Sequence, residues 1–566
     1  MGIKEKLKKY DIKLLLTVSF VFILFVGIVS YKISSSYALF TDELNGSKTI
    51  ALHYEPLNSV TVLYADGTLI INEKPSNRAA NIQTHGTVSH EYPGMKSEGT
   101  NVEKYIFADE TDQPWNSDAA SIKKVEMGQK IYPTSTAFWF KDLTHMTQGN
   151  FTNLKTSRLT TVQSMFQNAG RDSSITSFTL TGLDSWDTSK ITNMNSLFNG
   201  TGYYATILSI GDISDWNTSK VTNMKSLFQG FGYTNAQAID LNLTNWDTSK
   251  VTNMNSMFRG TGYNASTTWS IGDLTHWDVS KVTDMGYMFG NACRNVSVCD
   301  IGNLSSWNTS QVTDMNNMFR VFASEATTLD IGSLSNWNTS KVTDMSGMFR
   351  QTGNYSTTWS VGDLSGWDTS QVTDMNYMFM NSCASSSVCN IGNLSDWDTL
   401  KVKDMSYMFR GYGVAITTTF DISFVANWNV SNVTNMSGMF SNAGYSASSW
   451  SIGNLSGWDT SKVTDMSVMF DCAAFSATTV TNMGTLKIYA TNTYRMFRNC
   501  RRINAIMNIY SNPQSGNPGY NETFAGAANM SGALITVNYK STTTNIDAII
   551  ATKSSTSNVV KGSVIS

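Results

Sequence analysis

The stretch Trp337-Asn-Thr-Ser-Lys-Val-Thr-Asp-Met-Ser-Gly-Met-Phe349 recurs, with small changes, ten times along the chain. The tryptophans that open the copies are Trp186, Trp216, Trp246, Trp277, Trp307, Trp337, Trp367, Trp397, Trp428 and Trp458, at steps of 30 or 31 residues. A fixed period of this size signals stacked supersecondary units, each contacting only its neighbours. It overrides the three or four separate domains that 566 residues would otherwise suggest. A chain that repeats one packing unit over most of its length builds a long surface.

Thr268 to Gly290 shows what one unit contains. Trp269 and Ile271 alternate with Ser270 and Gly272, the period of a short strand. Leu274 and Trp277 follow through a turn. Val282, Met285, Met288 and Phe289 then fall on one face of a short helix, with Thr283-Asp284 at its N-cap. Gly202, Gly232, Gly262, Gly353, Gly413 and Gly444 stand four residues after the Phe of their copies, and Tyr203, Tyr233, Tyr263 or Tyr445 follows four of them. Left-handed Gly at C′ with an apolar residue at C″ is a Schellman ending. The pattern predicts an α/β repeat solenoid of about 12 strand-turn-helix coils, its strands in a parallel sheet spaced about 4.8 Å apart.

One such unit cannot offset its own ordering entropy, so both ends need caps. Residues 39–150, with strand-like Val60-Thr-Val-Leu-Tyr64 and Thr68-Leu-Ile-Ile71, are read as an N-terminal cap domain. The repeats occupy 151–500, from a degenerate copy at Leu154–Phe166 to a decayed one at Ala490–Phe497. Residues 501–566 form a C-terminal cap with a closing strand at Ala533–Tyr539 and a short helix at Asn545–Thr552. Residues 1–38 read as a secretory signal: a Lys-rich start, an apolar run from Leu14 to Val29, then Ser36-Tyr37-Ala38 at a cleavage position. An uncleaved membrane anchor is the alternative.

The copies can be compared with one another. Eight residues before the grid Trp they carry Phe178, Leu208, Ala238, Trp269, Cys299, Leu329, Trp359, Cys389, Phe420 and Trp450, a core-facing strand site. In the two Cys copies the capping Gly becomes Cys293 or Cys383. Paired substitution predicts the disulfides Cys293–Cys299 and Cys383–Cys389, in an oxidising compartment. The sequence does not decide whether Cys472 and Cys500 pair.

Other columns have a bland reading. Met at eight and eleven residues after Trp is core filler on a helix face, and Asp or Asn at one and seven residues after Trp suits turns and caps. Tyr203, Tyr233, Tyr263 and Tyr445 could form an exposed aromatic ladder. His53, His85, His90, His145 and His276 stand in no catalytic or zinc-ligand spacing. No catalytic residue, cofactor site or metal site is predicted. Net charge is −3 and no basic block occurs in the repeats, which argues against nucleic acid as a partner.

The phrase from Trp246 to Phe258 resembles the repeat of the BspA-like leucine-rich-repeat surface proteins of bacteria, over about 154–500. The segments around Ile535–Tyr539 and Asn558–Gly562, and Ala65–Ile71 with Pro133–Ala137, are similar to the segments that close and open such arrays. The resemblance implies a leucine-rich-repeat-like solenoid, secreted or at the bacterial cell surface, that adheres to a host or matrix protein or glycan. Membrane contact would run only through an uncleaved N-terminal segment. Self-association into an extracellular matrix or coat is the alternative, and an enzyme in the N-terminal cap a third class.

Overall fold

Short apolar–polar alternations give short strands, and in this chain they recur at one place per repeat. The computed structural model describes residues 60–92, 107–109, 112–234, 236–265, 268–516 and 519–566. The signal-or-anchor segment at 1–38 lies outside them. Among the described residues no helix is long and apolar enough to cross a membrane.

β1 (Val60–Tyr64) pairs antiparallel with β2 (Thr68–Glu73) and with β3 (Val88–Tyr92), which follows the helix α1 (Arg78–His85). From β2 onward the pairing is parallel: β4 (Lys124–Met127), β5 (Gln148–Asn150), β6 (Ser177–Thr181) and β7 (Ile207–Ser209) complete a seven-stranded sheet. The predicted N-terminal cap and the first repeats therefore share one sheet. The column continues through β8 (Ala238–Asp240), β9 (Thr268–Ser270), β10 (Thr328–Asp330), β11 (Thr358–Ser360), β12 (Cys389–Asn390), β13 (Thr419–Asp421) and β14 (Ser449–Ser451). Longer parallel strands finish the chain: β15 (Thr481–Ile488), β16 (Ile503–Ile509), β17 (Leu534–Lys540) and β18 (Val559–Ile565), with α2 (Ile546–Ile550) between the last two.

The strand column corrects one alignment. Ile239, not Ala238, pairs with Trp269, and Ala238 is exposed. This copy has one residue fewer between its core-facing strand residue and Trp246, so the larger apolar side chain takes the inward position.

The predicted helices are absent. Among the described residues no α-helix lies between α1 and α2. In the turn-rich segment where the helix is predicted, the N–H groups of Met285, Tyr287, Phe289 and Asn291 donate to the carbonyls of Asp314, Asn316, Met318 and Arg320 in the next coil, at 2.6–3.0 Å. The intervening Met288, Gly290 and Ala292 donate three residues back within the coil, at 2.9–3.1 Å. These three-residue turns keep Met285, Met288 and Phe289 facing inward, which is why their spacing imitates a helix. Left-handed residues such as Ser256, Gly260 and Gly262 recur 10, 14 and 16 residues after the grid Trp and are incompatible with a helix. The six Gly that stand four residues after Phe are left-handed, as a Schellman ending requires, yet there is no helix for them to cap.

The core is a set of columns. A phenylalanine column runs from Phe140 to Phe524, and from Phe166 onward its successive centroids lie 5.1–6.2 Å apart with rings nearly parallel. It carries the stacking past Phe497 into the predicted C-terminal cap. The grid tryptophans are buried beside it, as are the methionines of the repeat. From Trp216 to Trp458 each indole N–H donates to a carbonyl one coil back, at 2.9–3.1 Å. Trp186 opens the series, and its buried Nε1 has no acceptor.

A ladder of single-residue parallel bridges runs from Ser135 to Asn492, and from Asn193 to Asp465 its rungs are the Asp or Asn seven residues after Trp. Each carboxylate or amide accepts the N–H two residues on, as Asp314 does from Asn316 at 2.8 Å and Asp374 from Asn376 at 2.9 Å. Asp284, Asp314, Asp344, Asp374 and Asp404 are consecutive rungs. Burial first, then the neighbouring carboxylates, push the pKa of Asp314 up and that of Asp374 up to about 6.

Two outcomes follow from these columns. In chemical denaturation Trp367→Phe is expected to cost about 1 kcal/mol more than Trp186→Phe, because only the former breaks a buried hydrogen bond. Equal losses would contradict the role given to the indole. Asp374 has a folded pKa of about 6, above the roughly 3.9 of an unfolded chain. A raised carboxyl favours folding fully below the unfolded value and loses that contribution as pH rises through the folded one. Asp374→Asn, the residue found at other rungs, should therefore stabilise the protein at pH 7 by on the order of 1 kcal/mol after solvent screening, and not at pH 4.

Candidate binding groove

The cross-coil ribbon aligns whatever stands at one repeat position into a row along the stack. Five residues after the Phe the row reads Arg171, Tyr203, Tyr233, Tyr263 and Arg294. Tyr203 and Tyr233 stack with centroids 4.6 Å apart, and Tyr233 and Tyr263 with centroids 4.5 Å apart. Arg171 lies over the outer face of Tyr203 at 4.6 Å, and Arg294 over that of Tyr263 at 4.9 Å, donating also to its hydroxyl. A guanidinium over a ring face is attracted by the ring quadrupole, so each end of the stack is closed by a cation.

Beside this row runs a groove of about 210 Å³ whose lining includes Arg171, Tyr203, Tyr233, Arg259 and Asn291. Gly260 lies in its floor with φ +68°, and a Cβ there would sit 2.8 Å from the ring of Tyr233. Glycine thus lets the tyrosine lie flat against the backbone. Burial pushes the hydroxyls of Tyr203 and Tyr233 above the ordinary phenol range, opposed by Arg171 and by Arg294 with Arg259. Both phenols stay protonated at neutral pH and can donate a hydrogen bond.

Immediately after the Phe stands a second row, Arg259, Arg320, Arg350 and Arg410, and two residues before it a third, Tyr287, Tyr377 and Tyr407. Arg259 lies over Tyr287 at 4.4 Å, Arg350 over Tyr377 at 4.8 Å, and Tyr377 stacks on Tyr407 at 5.1 Å. Asp404 borders this end through its interaction with Tyr377. Burial, then the charge of Arg320, lowers the pKa of Arg350. Among the described residues none of Arg171, Arg259, Arg294, Arg320, Arg350 and Arg410 forms a salt bridge, whereas Arg495 pairs with Glu522 and Arg498 with Asp471. The buried Nε atoms of Arg294, Arg320 and Arg350 have no acceptor.

The predicted ladder is therefore divided. Tyr203, Tyr233 and Tyr263 come together as half-buried rings whose edges, not faces, meet solvent. Tyr445 belongs to a separate pair with Phe475, 4.7 Å apart, over which Arg501 lies at 3.7 Å. Cys293 is disulfide-bonded to Cys299, with Cα atoms 6.2 Å apart, and Cys383 to Cys389, with Cα atoms 6.0 Å apart. Cys472 and Cys500 are free thiols. Cys500 is buried against the carbonyls of Phe470 and Ala473, and burial pushes its pKa well up.

One family, described as Mycoplasma protein of unknown function, DUF285, matches residues 134–261, 172–294, 262–386, 293–412, 321–444, 382–510 and 414–538. The chain belongs to this family. No curated protein and no solved structure matches it. The DUF285 matches overlap into one continuous block, and every arginine and tyrosine of the three rows lies within it.

The arginines are what the sequence reading missed. Net charge and block counts cannot register cations about thirty residues apart. Reading the aligned copies downward at the position after Phe would have found Arg259, Arg320, Arg350 and Arg410.

The cysteine arrangement is testable by alkylation and mass spectrometry. Unfolding without reductant should expose two reactive thiols, on Cys472 and Cys500, and reduction should expose six. Four or more without reductant would contradict it. Replacing Cys383 and Cys389 together by Ser is expected to lower stability by about 2 kcal/mol, the loop being short.

Proposed function

We propose that this chain is an exported binding protein, held at or released from the bacterial surface, that adheres to a host or matrix component along one face of a BspA-like solenoid. Its coils, about 12 by the repeat count, are built of strand, tight corner and turn ribbon instead of strand and helix. The N-terminal segment 1–38 supplies export or anchorage in this reading.

One observation carries it. The groove and the three rows of Arg and Tyr run across coil boundaries, so the surface is a product of stacking. Polar groups are left unpaired there, whereas Arg495 and Arg498 nearer the C-terminus pair with carboxylates. A surface of unpaired donors across several repeats suits recognition of an extended partner better than chemistry at a point.

The test is light scattering of purified residues 39–566 over a wide concentration range, combined with binding to host cells or matrix-coated surfaces. The expected result is a monomer at all concentrations and saturable binding that soluble protein competes away. Assembly with rising concentration and no partner would replace adhesion with a self-associating matrix role.

A further inference from the structure

We propose that the groove walled by Tyr203 and Tyr233, with Arg171 and Arg259 in its lining and Arg294 closing the tyrosine stack beside it, binds the carboxylate or sulfate groups of an acidic polysaccharide. The inference rests on the binding reading above and gives the ligand's chemical class.

The first argument is charge left uncompensated. Lys190 and Lys250, on another edge of the stack, lie close enough to Asp187 and Asp247 to lower the pKa of those carboxyls further. Among the described residues Arg171, Arg259 and Arg294 make no salt bridge; Arg171 donates to the amide oxygen of Asn168 at 2.6 Å, and that amide donates to Asp142 at 2.7 Å. The charge of Arg171 acts on Tyr203, and those of Arg294 and Arg259 act on Tyr233. Arg259 and Arg294 are half-buried and Arg171 is exposed; guanidiniums without a salt-bridge partner leave donors that an incoming anion can fill, and Arg presents them as a planar fork matched to carboxylate or sulfate.

The second argument concerns ring faces. In the Tyr203–Tyr233–Tyr263 stack every face is covered, inside by the next ring and at the ends by Arg171 and Arg294. A single-stranded nucleic acid gains much of its affinity by stacking bases on open aromatic faces. This site offers none. It offers ring edges, neutral hydroxyls and guanidiniums, which suit an oxygen-rich chain of hydroxyls and anionic groups.

The third argument is length. The arginines continue as Arg320, Arg350 and Arg410, so cationic positions span eight rungs from Arg171, roughly 38 Å at the spacing of parallel strands. A repeating polymer can engage successive rungs, and a single small anion cannot.

The experiment compares three polymers of one backbone, namely dextran, carboxymethyl dextran and dextran sulfate, for binding to the purified protein by calorimetry at two salt concentrations. The two charged polymers should bind, more weakly at high salt, and neutral dextran should not. Replacing Arg171, Arg259 and Arg294 together by Gln should weaken binding by about tenfold or more, given the strength of charge-assisted bonds. Tyr233→Phe, which keeps the ring stack and removes one hydroxyl, should weaken it by less. Lys190→Gln with Lys220→Gln and Lys250→Gln removes the same charge from the other edge and should leave affinity within about twofold. Melting curves of all variants check that the fold persists.

Failure of both charged polymers to bind would overturn the proposal, as would equal losses in the arginine and lysine variants. Single-stranded DNA that displaces dextran sulfate at equal charge concentration would reassign the groove to nucleic acid. If the arginine variant still adheres to host surfaces as the parent does, this inference fails while the adhesion reading stands. If the parent binds the charged polymers but no host surface, the adhesion reading fails and this inference stands.

Discussion

Everything in this fold depends on backbone N–H groups that find their acceptors one coil away. Phe289 donates to Met318, Phe319 to Met348 and Phe349 to Met378, each at 2.9 Å, and the residues two positions to either side do the same. A buried amide without an acceptor is costly, so a coil with no neighbour would leave a row of them unsatisfied. The Phe column, the tryptophan N–H bonds and the Asp/Asn ladder all add to an alignment that the backbone sets. The same alignment turns any residue chosen at one repeat position into a row on the surface.

Much of this was legible in the sequence. The Trp grid gave the period, and the period gave stacking. Strand positions followed from alternation, apart from the one-residue difference at Ile239. The terminal elements at Val60–Tyr64, Thr68–Glu73, Leu534–Lys540 and Ile546–Ile550 also follow from local patterning. The helix did not survive, for a physical reason. Apolar residues at i, i+3 and i+6 face one way both in a helix and in a chain of three-residue turns. The distinction lies in whether each N–H turns back along its own chain or reaches the next coil. Small and polar residues at the left-handed positions, Ser256 and Asn317 among them, were the available hint.

The groove was only half legible. The tyrosines stood out because each follows a Gly, and the Schellman pattern assigned them a partner on their own coil. Their actual partner is the same residue one coil on, because without a helix the side chain lies along the stack. The arginines were diluted by distance in sequence and by a net charge of −3. Stacking brings Arg171 and Arg259 into the lining of one groove and Arg294 to the end of the tyrosine stack beside it. A near-neutral chain can thus carry a locally cationic surface.

Excision of one whole repeat tests the coil-to-coil account most directly. Removing Trp337 to Gly366 joins Asn336 to Trp367 and keeps the grid, the ladder and the Phe column in register. The account predicts a protein that still unfolds cooperatively, with a midpoint within a few degrees of the parent, whereas removing Trp337 to Gln351 should abolish the transition. Loss of cooperative unfolding on whole-repeat excision, or tolerance of the half-repeat deletion, would contradict it.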